Sequence, residues 1–187
     1  IGTRFLQAGI GWGGSCFGKD TAALVSTASE YNLEMPIVKS ARVVNARQRE
    51  RVVEKLLAEL KILKGRTIGL LGLAFKPNTD DLREAPALDI ARQLTERGAR
   101  VKAHDPVAME RFRAENPDME ISLCDTAEEV ARDSDAVVLV TEWPEYRELN
   151  WAAMISTMRS PVLLDGRNVL DRARLSALGY RYVGMCN

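Results

Sequence analysis

The chain is poor in the residues that build metal centres and disulfide frameworks. Its 187 residues include a single histidine, and its three cysteines, Cys16, Cys124 and Cys186, form no C-x-x-C pair. One histidine argues against a histidine-rich metal centre. An odd number of scattered cysteines argues against a disulfide framework or a zinc site and suits a reducing cytoplasm. We therefore expect no metal ion and a cytoplasmic location.

The chain also lacks an excess of charge of either sign and any long hydrophobic run. Lysine plus arginine and aspartate plus glutamate number 26 each, so bulk charge gives no support for binding nucleic acid or a membrane surface. No apolar run reaches the ~18 residues that a membrane-spanning helix requires. No charged-then-apolar signal segment opens the chain. From these absences we expect that the chain binds neither nucleic acid nor a membrane.

What the chain does have is a thiol behind a cluster of glycines. Residues 9–20 read G-I-G-W-G-G-S-C-F-G-K-D, with Cys16 followed by Lys19 and Asp20. Glycine lets the backbone approach a ligand closely. A helix-favouring run follows, which places Cys16 near a helix N-terminus, where the helix dipole stabilises a thiolate. The pattern therefore indicates a nucleophile for covalent catalysis.

Two plainer interpretations compete with the nucleophile. A lone cysteine in a soluble chain is most often a small buried hydrophobe, but the glycines and the Lys19–Asp20 pair favour a reactive role. The segment also matches G-x-G-x-x-G at Gly9, Gly11 and Gly14. We reject a dinucleotide fingerprint there, because no β-branched strand precedes it as that motif requires.

Residues 1–64 are predicted to be loop and helix. One helix is expected over about 19–31, and a second over about 36–62, where apolar residues recur at roughly helical spacing. The charged stretch 47–51 interrupts this second apolar stripe, and we interpret it as solvated or facing a partner. A helix of this length with few neighbours leaves an apolar face that needs cover.

From residue 65 the pattern changes to alternating strands and helices. Helices are expected over 86–97 and 126–132. A buried strand is expected over 67–72, and further strands over five segments: 100–104, 120–123, 136–140, 161–164 and 180–183. Near-continuous apolar strands separated by helices predict a doubly wound parallel sheet covered on both faces. The predicted domains are therefore 1–64 and 65–187.

Three cations follow strands of this predicted sheet. In a doubly wound sheet, ligands bind beyond the carboxyl ends of the strands. Lys76 and Arg83 follow the first strand and Arg167 follows the fifth, so they converge at one edge. An ammonium and two planar guanidinium forks there suit a diphosphate, and this interpretation stands level with that of three merely solvated side chains. Without a glycine fingerprint, we interpret Asp105 after the second strand as a loop cap and His104 as structural.

Four motifs carry a resemblance to a known family. Residues 9–20 resemble the catalytic-cysteine signature of UDP-glucose 6-dehydrogenases, in the UDP-glucose/GDP-mannose dehydrogenase family. The stretch G-L-A-F-K-P-N-T-D-D-L-R-E-A-P, residues 72–86, resembles the family's uridine-nucleotide-binding loop. T-E-W-P-E-Y at 141–146 and D-G-R-N at 165–168 follow in the family's order. One departure is Gly18, where most bacterial members have proline.

The resemblance implies an α/β protein: a helical central, dimerising segment followed by a Rossmann-like UDP-binding domain. It implies a homodimer formed through the long helix 36–62. Ile1 falls inside what looks like a family motif, so we expect a C-terminal fragment of a longer polypeptide. The family's NAD-binding domain, catalytic lysine and asparagine would precede Ile1, and the fragment alone is then expected to be inactive.

The resemblance also implies a reaction, the oxidation of UDP-glucose to UDP-glucuronate with two NAD⁺ in succession. Cys16 would add to the intermediate aldehyde as a thiohemiacetal, and oxidation would give a thioester that water cleaves. Asp20 would orient or deprotonate that water, and Lys19 would favour the thiolate.

Binding roles carried over position by position fall into two groups. Arg83 would reach NAD, and Lys76 and Arg167 would hold the substrate. The residues lining the substrate would be Phe5, Leu6, Gly9 and Gly13, and Phe75 could pack on its base or sugar.

Two alternatives stay open. Another nucleotide sugar, GDP-mannose or a UDP-N-acetylhexosamine such as UDP-N-acetylmannosamine, could be the substrate, although Phe17 and the T-E-W loop favour UDP-glucose. The second alternative is that the chain is a nucleotide-sugar-binding module without catalytic activity. It predicts a Cys16 no more reactive toward iodoacetamide than Cys124 or Cys186.

Overall fold

The computed structural model describes residues 7–186. Within that range the chain forms eight helices and six strands. The first two elements are the helices α1 (Phe17–Glu30) and α2 (Pro36–Leu60), which form an antiparallel pair. Pro36 is the first residue of α2, where its missing N–H costs no hydrogen bond. Both helices agree with the predicted ones to within two residues at each end.

The remaining elements alternate between strands and helices. The strands are β1 (Thr67–Leu71), β2 (Arg100–His104), β3 (Ile121–Leu123), β4 (Ala136–Leu139), β5 (Val162–Asp165) and β6 (Arg181–Gly184). The helices are α3 (Pro86–Glu96), α4 (Met109–Glu115), α5 (Ala127–Ala131), α6 (Pro144–Arg147), α7 (Trp151–Ile155) and α8 (Arg172–Ala177).

The six strands form one sheet in the order β3-β2-β1-β4-β5-β6. Every pair is parallel, and Leu71 at the end of β1 lies between His104 and Leu139. The strand order reverses between β1 and β4, so the crevice at the carboxyl ends opens there. The predicted α/β class, the parallel sheet and all six strands are confirmed.

The sheet separates two hydrophobic layers. β1, β4 and β5 are buried along their whole length, as expected for strands covered on both faces. One layer packs α2 and α3 against the sheet through Val52, Leu56, Ile90 and Leu94. The other packs α5, α7 and α8 through Val130, Met154 and Leu175. No helix in the described part of the chain is both long and apolar enough to cross a bilayer.

The C-terminal half of α2 is part of the hydrophobic core, but α1 is not. Ala28 is the sole buried residue that α1 contributes among those described. Ile37 at the start of α2 is 84% exposed and Val43 is 68% exposed. The N-terminal half of α2 therefore exposes apolar side chains to solvent.

Candidate active site

Two buried carboxylates shape the loops at the carboxyl edge of the sheet. Asp105, after β2, accepts hydrogen bonds from the backbone N–H groups of Leu73 and Ala74 at 2.7 and 3.0 Å, and from Trp143 Nε1 at 3.2 Å. It also caps its own loop at the N–H groups of Val107 and Ala108. This agrees with the interpretation of Asp105 as a loop cap.

Asp165 does the same for the loop after β5. It accepts from the backbone N–H groups of Arg167, Val169 and Leu170, and from the Tyr182 hydroxyl at 2.8 Å. Burial raises the pKa of Tyr182, and the Asp165 charge adds to this, so the hydroxyl stays a donor. Asp105 also limits which ligands the loop after β1 can bind. It already accepts hydrogen bonds from the backbone N–H groups of Leu73 and Ala74. These groups therefore cannot bind a dinucleotide phosphate, as the corresponding groups do in a dinucleotide-binding loop.

Arg167 is the buried cation of this edge. Its side chain is 16% exposed, and its Nε donates to the Val140 carbonyl at 2.6 Å. Glu142 Oε2 lies 3.0 Å from the same Nε. The N–H hydrogen is directed at Val140, so Glu142 Oε2 has no hydrogen-bond partner among the described residues and the pair is held by charge. Burial lowers the pKa of Arg167, and Glu142 and Asp165 oppose that shift.

A cavity of about 410 Å³ lies beside Arg167. Its lining includes Arg172, Asn168, Tyr182 and Cys186. Because Arg167 Nε is occupied, its terminal nitrogens are the groups left to meet a ligand. Two guanidinium groups on one cavity provide the charge and the planar geometry that a phosphate requires.

Phe75 and Lys76 lie in the loop after β1. The Lys76 ammonium is 5.2 Å from the centroid of the Phe75 ring, a cation–π distance. Lys76 is exposed and Phe75 is partly buried. The ring also lies close to Gly14, because a Cβ on Gly14 would meet a Phe75 ring carbon at 2.7 Å.

The glycine-rich segment, residues 9–14, lies across the loops after β5 and β1. Ile10 N–H donates to the Gly166 carbonyl at 3.1 Å, and Gly14 N–H donates to the Arg83 carbonyl at 2.8 Å. A Cβ on Gly9 would lie 2.9 Å from Gly166 O, and one on Gly13 would lie 2.5 Å from Glu84 O. Glycine is required there because the segment touches both loops backbone to backbone. Phe5 and Leu6 lie outside the described residues.

Cys16 follows this segment as the N-cap residue of α1, and it is exposed. Its carbonyl accepts from Asp20 N–H at 2.8 Å, so Cys16 and Asp20 lie one turn apart on one side of the helix. The Asp20 carboxylate and the Lys19 ammonium are exposed and 4.0 Å apart. The thiol therefore stands at a helix N-terminus with a carboxylate and an ammonium nearby.

Arg83 is held toward the same side by Asp81. Its Nε and one terminal nitrogen donate to the two carboxylate oxygens at 2.9 and 2.7 Å, a bidentate pair. This hydrogen bonding lowers the pKa of Asp81 to about 2, although burial opposes the shift. The same pair raises the pKa of Arg83.

Sequence reasoning missed the side chains of α2 that reach this site. The charged stretch 47–51 was expected to be solvated or partner-facing, which is wrong for Arg49: its side chain is 12% exposed and pairs with Asp89 of α3. Asn45, one turn earlier, is also buried. The signal was present, because both lie on the helix side that Val52, Val53 and Leu56 bury.

Taken together, the arrangement is that of a nucleotide-binding α/β domain with a thiol-bearing segment laid across its carboxyl edge. Within the described residues no three or more His, Cys, Asp or Glu side chains are grouped to hold a metal ion.

Residues 69–172, more than half of the chain, match the UDP-binding domain of the UDP-glucose/GDP-mannose dehydrogenase family. Residues 1–47 match the central domain of that family. The chain belongs to the UDP-glucose/GDP-mannose dehydrogenase family.

Individual relatives agree with this assignment. UDP-glucose 6-dehydrogenase TuaD of Bacillus subtilis is 42% identical over 97% of this chain and 39% of its own length. A UDP-glucose 6-dehydrogenase of Pseudomonas aeruginosa is 44% identical over 99% of this chain and 42% of its own length. The chain therefore spans about two fifths of the curated relatives it matches.

Solved structures give the same result. A UDP-glucose dehydrogenase from Pyrobaculum islandicum superposes with a TM-score of 0.87 at 40% identity, over 99% of this chain and 40% of that one. A GDP-mannose dehydrogenase from Pseudomonas aeruginosa gives 0.79 at 25% identity, over all of this chain and 42% of that one.

Proposed function

We propose that the chain is the UDP-sugar-binding part of an NAD-dependent UDP-glucose 6-dehydrogenase, which oxidises UDP-glucose to UDP-glucuronate. One observation carries the proposal: the segment that leads to Cys16 lies directly on the loops that bear Phe75, Arg83 and Arg167. This contact supports a site in which the nucleophile and the cationic loops act on one substrate. The higher identity to UDP-glucose dehydrogenases than to GDP-mannose dehydrogenase favours UDP-glucose.

The substrate is held through its charge and its rings. Lys76 and the terminal nitrogens of Arg167 bind the diphosphate, and the Phe75 ring packs on the base or sugar. Gly9 and Gly13 are assigned to the lining of the sugar by the family motif, and their missing side chains let the glycine-rich segment lie directly on the loops. Phe5 and Leu6 are assigned to the same lining by the family motif. The substrate then lies beside the glycine-rich segment at the edge of the sheet.

The chemistry centres on Cys16. Its thiolate attacks the C6 aldehyde carbon and forms a thiohemiacetal, and the thioester formed on oxidation is cleaved by water to the carboxylate. Asp20, one turn further along α1, takes the proton of that water, and Lys19 and the helix N-terminus favour the thiolate. The helix thereby presents the nucleophile and its base on one side.

NAD supplies the hydride acceptor for both oxidations. The sheet of this chain does not fit the dinucleotide in its own first loop, because Asp105 occupies the N–H groups of Leu73 and Ala74. Arg83 does fit, since Asp81 orients its exposed guanidinium on the Cys16 side. Arg83 therefore contacts a cofactor held mainly by another domain.

The apolar surface on α1 and α2 pairs two copies of the chain. Ile37 and Val44 are exposed and two turns apart on one side of α2, and Leu33 and Tyr31 are exposed in the turn before it. A surface of this kind on a helix pair is typical of a protein interface. We assign the homodimer contact to the helix 36–62.

Alkylation by iodoacetamide, followed at each cysteine by mass spectrometry, tests the proposal. Cys16 is expected to react faster than Cys124, because burial raises the pKa of the Cys124 thiol. UDP-glucose should slow the alkylation of Cys16. UDP should not, because it lacks the sugar that covers the thiol. A Cys16 that reacts no faster than Cys124, or that UDP-glucose leaves unprotected, contradicts the proposal.

Matched variants locate the binding site in the same assay. Lys76→Gln removes a proposed diphosphate contact and should abolish protection by UDP-glucose. Lys61→Gln removes an exposed ammonium at the end of α2, which bonds to the Ala58 carbonyl, and should leave protection intact. GDP-mannose and UDP-N-acetylmannosamine in place of UDP-glucose separate the alternative substrates.

The 187-residue chain alone should show no dehydrogenase activity. The dinucleotide has no cradle in its sheet, so NADH production from UDP-glucose at high protein concentration should stay at the background rate. Sustained turnover would show that this chain binds the cofactor unaided.

A further inference from the structure

The glycine-rich segment is attached to α2 through the backbone of Trp12. Trp12 N–H donates to Asn45 Oδ1 at 2.7 Å, and Asn45 Nδ2 donates back to the Trp12 carbonyl at 3.2 Å. Gly11, with φ +91°, brings its backbone against the same Asn45 oxygen. An amide side chain of α2 thus pairs with both the backbone N–H and the backbone carbonyl of Trp12.

Arg49, one turn further along α2, extends this attachment in three directions. One terminal nitrogen donates to the Trp12 carbonyl at 2.9 Å and to the Glu84 carbonyl at 3.1 Å. The other pairs with the Asp89 carboxylate on α3. One largely buried guanidinium therefore joins α2, the glycine-rich segment, the loop after β1 and α3.

The helix that bears Cys16 cannot fix the thiol by itself. Among the described residues of α1, Ala28 alone is buried, and the segment before the helix contains Gly13 and Gly14, which restrict the backbone little. The described contacts that hold Cys16 in place are those at Trp12, the Gly14–Arg83 hydrogen bond, and Arg42, which donates to the Gly18 carbonyl at 2.6 Å. Of the α2 side chains that make these contacts, Asn45, Arg49 and Arg42, Arg49 is the one that also donates a hydrogen bond to the loop after β1, at the Glu84 carbonyl.

We propose that Arg49 is a positioning residue for Cys16, with Asn45 as its partner. It holds the glycine-rich segment on the loop after β1, so that the thiol stays above the sugar site. The proposal rests on the proposed function for the role of Cys16, but the attachment itself does not depend on any ligand. Charge-assisted hydrogen bonds from a buried guanidinium are strong enough to hold such a segment.

The competing view is that Arg49 is merely one half of an ion pair with Asp89. Arg92 separates the two views, because it also pairs with Asp89, at 3.1 Å, but is more exposed and bonds to neither the glycine-rich segment nor Glu84. Arg92→Gln is therefore the matched control for Arg49→Gln.

The first experiment measures amide hydrogen exchange by NMR in the 187-residue chain without ligand. Arg49→Gln should speed exchange at Gly14 by about tenfold or more, the factor expected when hydrogen bonds from a charged donor are removed. Exchange at Leu70 in the middle of β1 should stay within about twofold, because that amide opens with the whole fold. Arg92→Gln should change neither.

The second experiment measures the ratio of Cys16 alkylation rates without and with saturating UDP-glucose. Arg49→Gln should bring this ratio close to one while UDP affinity, measured by calorimetry, stays within about twofold, because the diphosphate contacts are elsewhere. Loss of UDP affinity together with protection would indicate general unfolding and overturn the proposal.

Further outcomes are distinguishable. Asn45→Ala removes only the Trp12 contacts and is the variant to measure if Arg49→Gln does not fold; it should raise Gly14 exchange in the same way. Unchanged Gly14 exchange in the folded variant overturns the positioning role while leaving the proposed function intact. A wild-type Cys16 that UDP-glucose does not protect defeats the proposed function, and the exchange data still decide the attachment.

Discussion

Gly13 is the position where a single methyl group should do most harm to the candidate site. A Cβ there would meet the Glu84 carbonyl at 2.5 Å and Phe75 and Pro86 at 3.0 Å, and two of these three neighbours are backbone or a proline ring. Gly13→Ala is therefore expected to destabilise the fold by about 1–3 kcal/mol, the usual cost of overpacking. Urea unfolding of the 187-residue chain measures this.

Gly18→Ala is the matched control. Its added methyl would meet only the Glu84 carboxylate, the mobile end of a side chain, and alanine favours α1 over glycine by up to about 1 kcal/mol. The variant should be as stable as the wild type or slightly more so. Equal destabilisation by both variants would mean that the glycine-rich segment does not lie against the loop after β1.

His104 gives the protein a specific dependence of stability on pH. The Tyr146 hydroxyl donates to the His104 carbonyl at 2.9 Å, so the His104 Nδ1–H donates to Tyr146 at 3.0 Å. Burial lowers the pKa of His104 below 6.5, and the nearby charges of Asp105, Glu145, Glu128 and Asp125 oppose the shift. The folded protein therefore disfavours the imidazolium.

The sign of the effect follows from this lowered pKa. The unfolded chain binds a proton at higher pH than the folded one, so stability is present above pH 6.5 and is lost as pH falls through the folded pKa. Thermal midpoints should rise between about pH 5 and 7, and His104→Gln should flatten that rise. Because the chain has one histidine, a rise that survives the substitution would contradict this account.

Individual side chains differ in how well the sequence predicted them. Asp105 was predicted as a loop cap because the first strand is not followed by the glycine fingerprint of a dinucleotide-binding fold. Arg49 was not predicted to be buried, because a charge in a charged stretch is usually solvated. Only the packing of α2 on α3 shows that this helix side faces Asp89.

The helices and strands were predicted unevenly for a physical reason. Three of the six strands, β1, β4 and β5, are mainly apolar and buried throughout, so their composition alone identifies them. The short helices α4, α6, α7 and α8 were missed. Helices of this length have no stability of their own, and packing rather than local propensity decides them.

The pair α1 and α2 leads to a prediction about assembly. If the apolar surface around Ile37 joins two copies, Ile37→Glu should convert a dimer to a monomer, because it buries an unpaired charge at the contact. Sedimentation equilibrium measures the mass. Val107→Glu, at an exposed apolar residue after β2, is the control and should leave the mass unchanged. Equal masses for wild type and Ile37→Glu, or dissociation by both variants, would contradict the assignment.

The complete chain combines two parts with different tasks. The sheet supplies a rigid edge, where Asp105 and Asp165 hold the loops that carry the cations. The glycine-rich segment and α1 supply the thiol. The sequence predicted both parts, through the strand pattern and the motifs. It could not predict how they are joined, because the join depends on backbone contacts such as Gly14 to Arg83 that no residue pattern encodes.

The account requires that the loops at the edge of the sheet and the segment that bears Cys16 contact the same substrate molecule. A crystal structure with UDP-glucose bound tests this most directly. We expect the diphosphate against Lys76 and Arg167, and the glucose C6 about 3–3.5 Å from the Cys16 sulfur, the distance of a reactive pair. A diphosphate bound elsewhere, or a glucose directed away from Cys16, would contradict it.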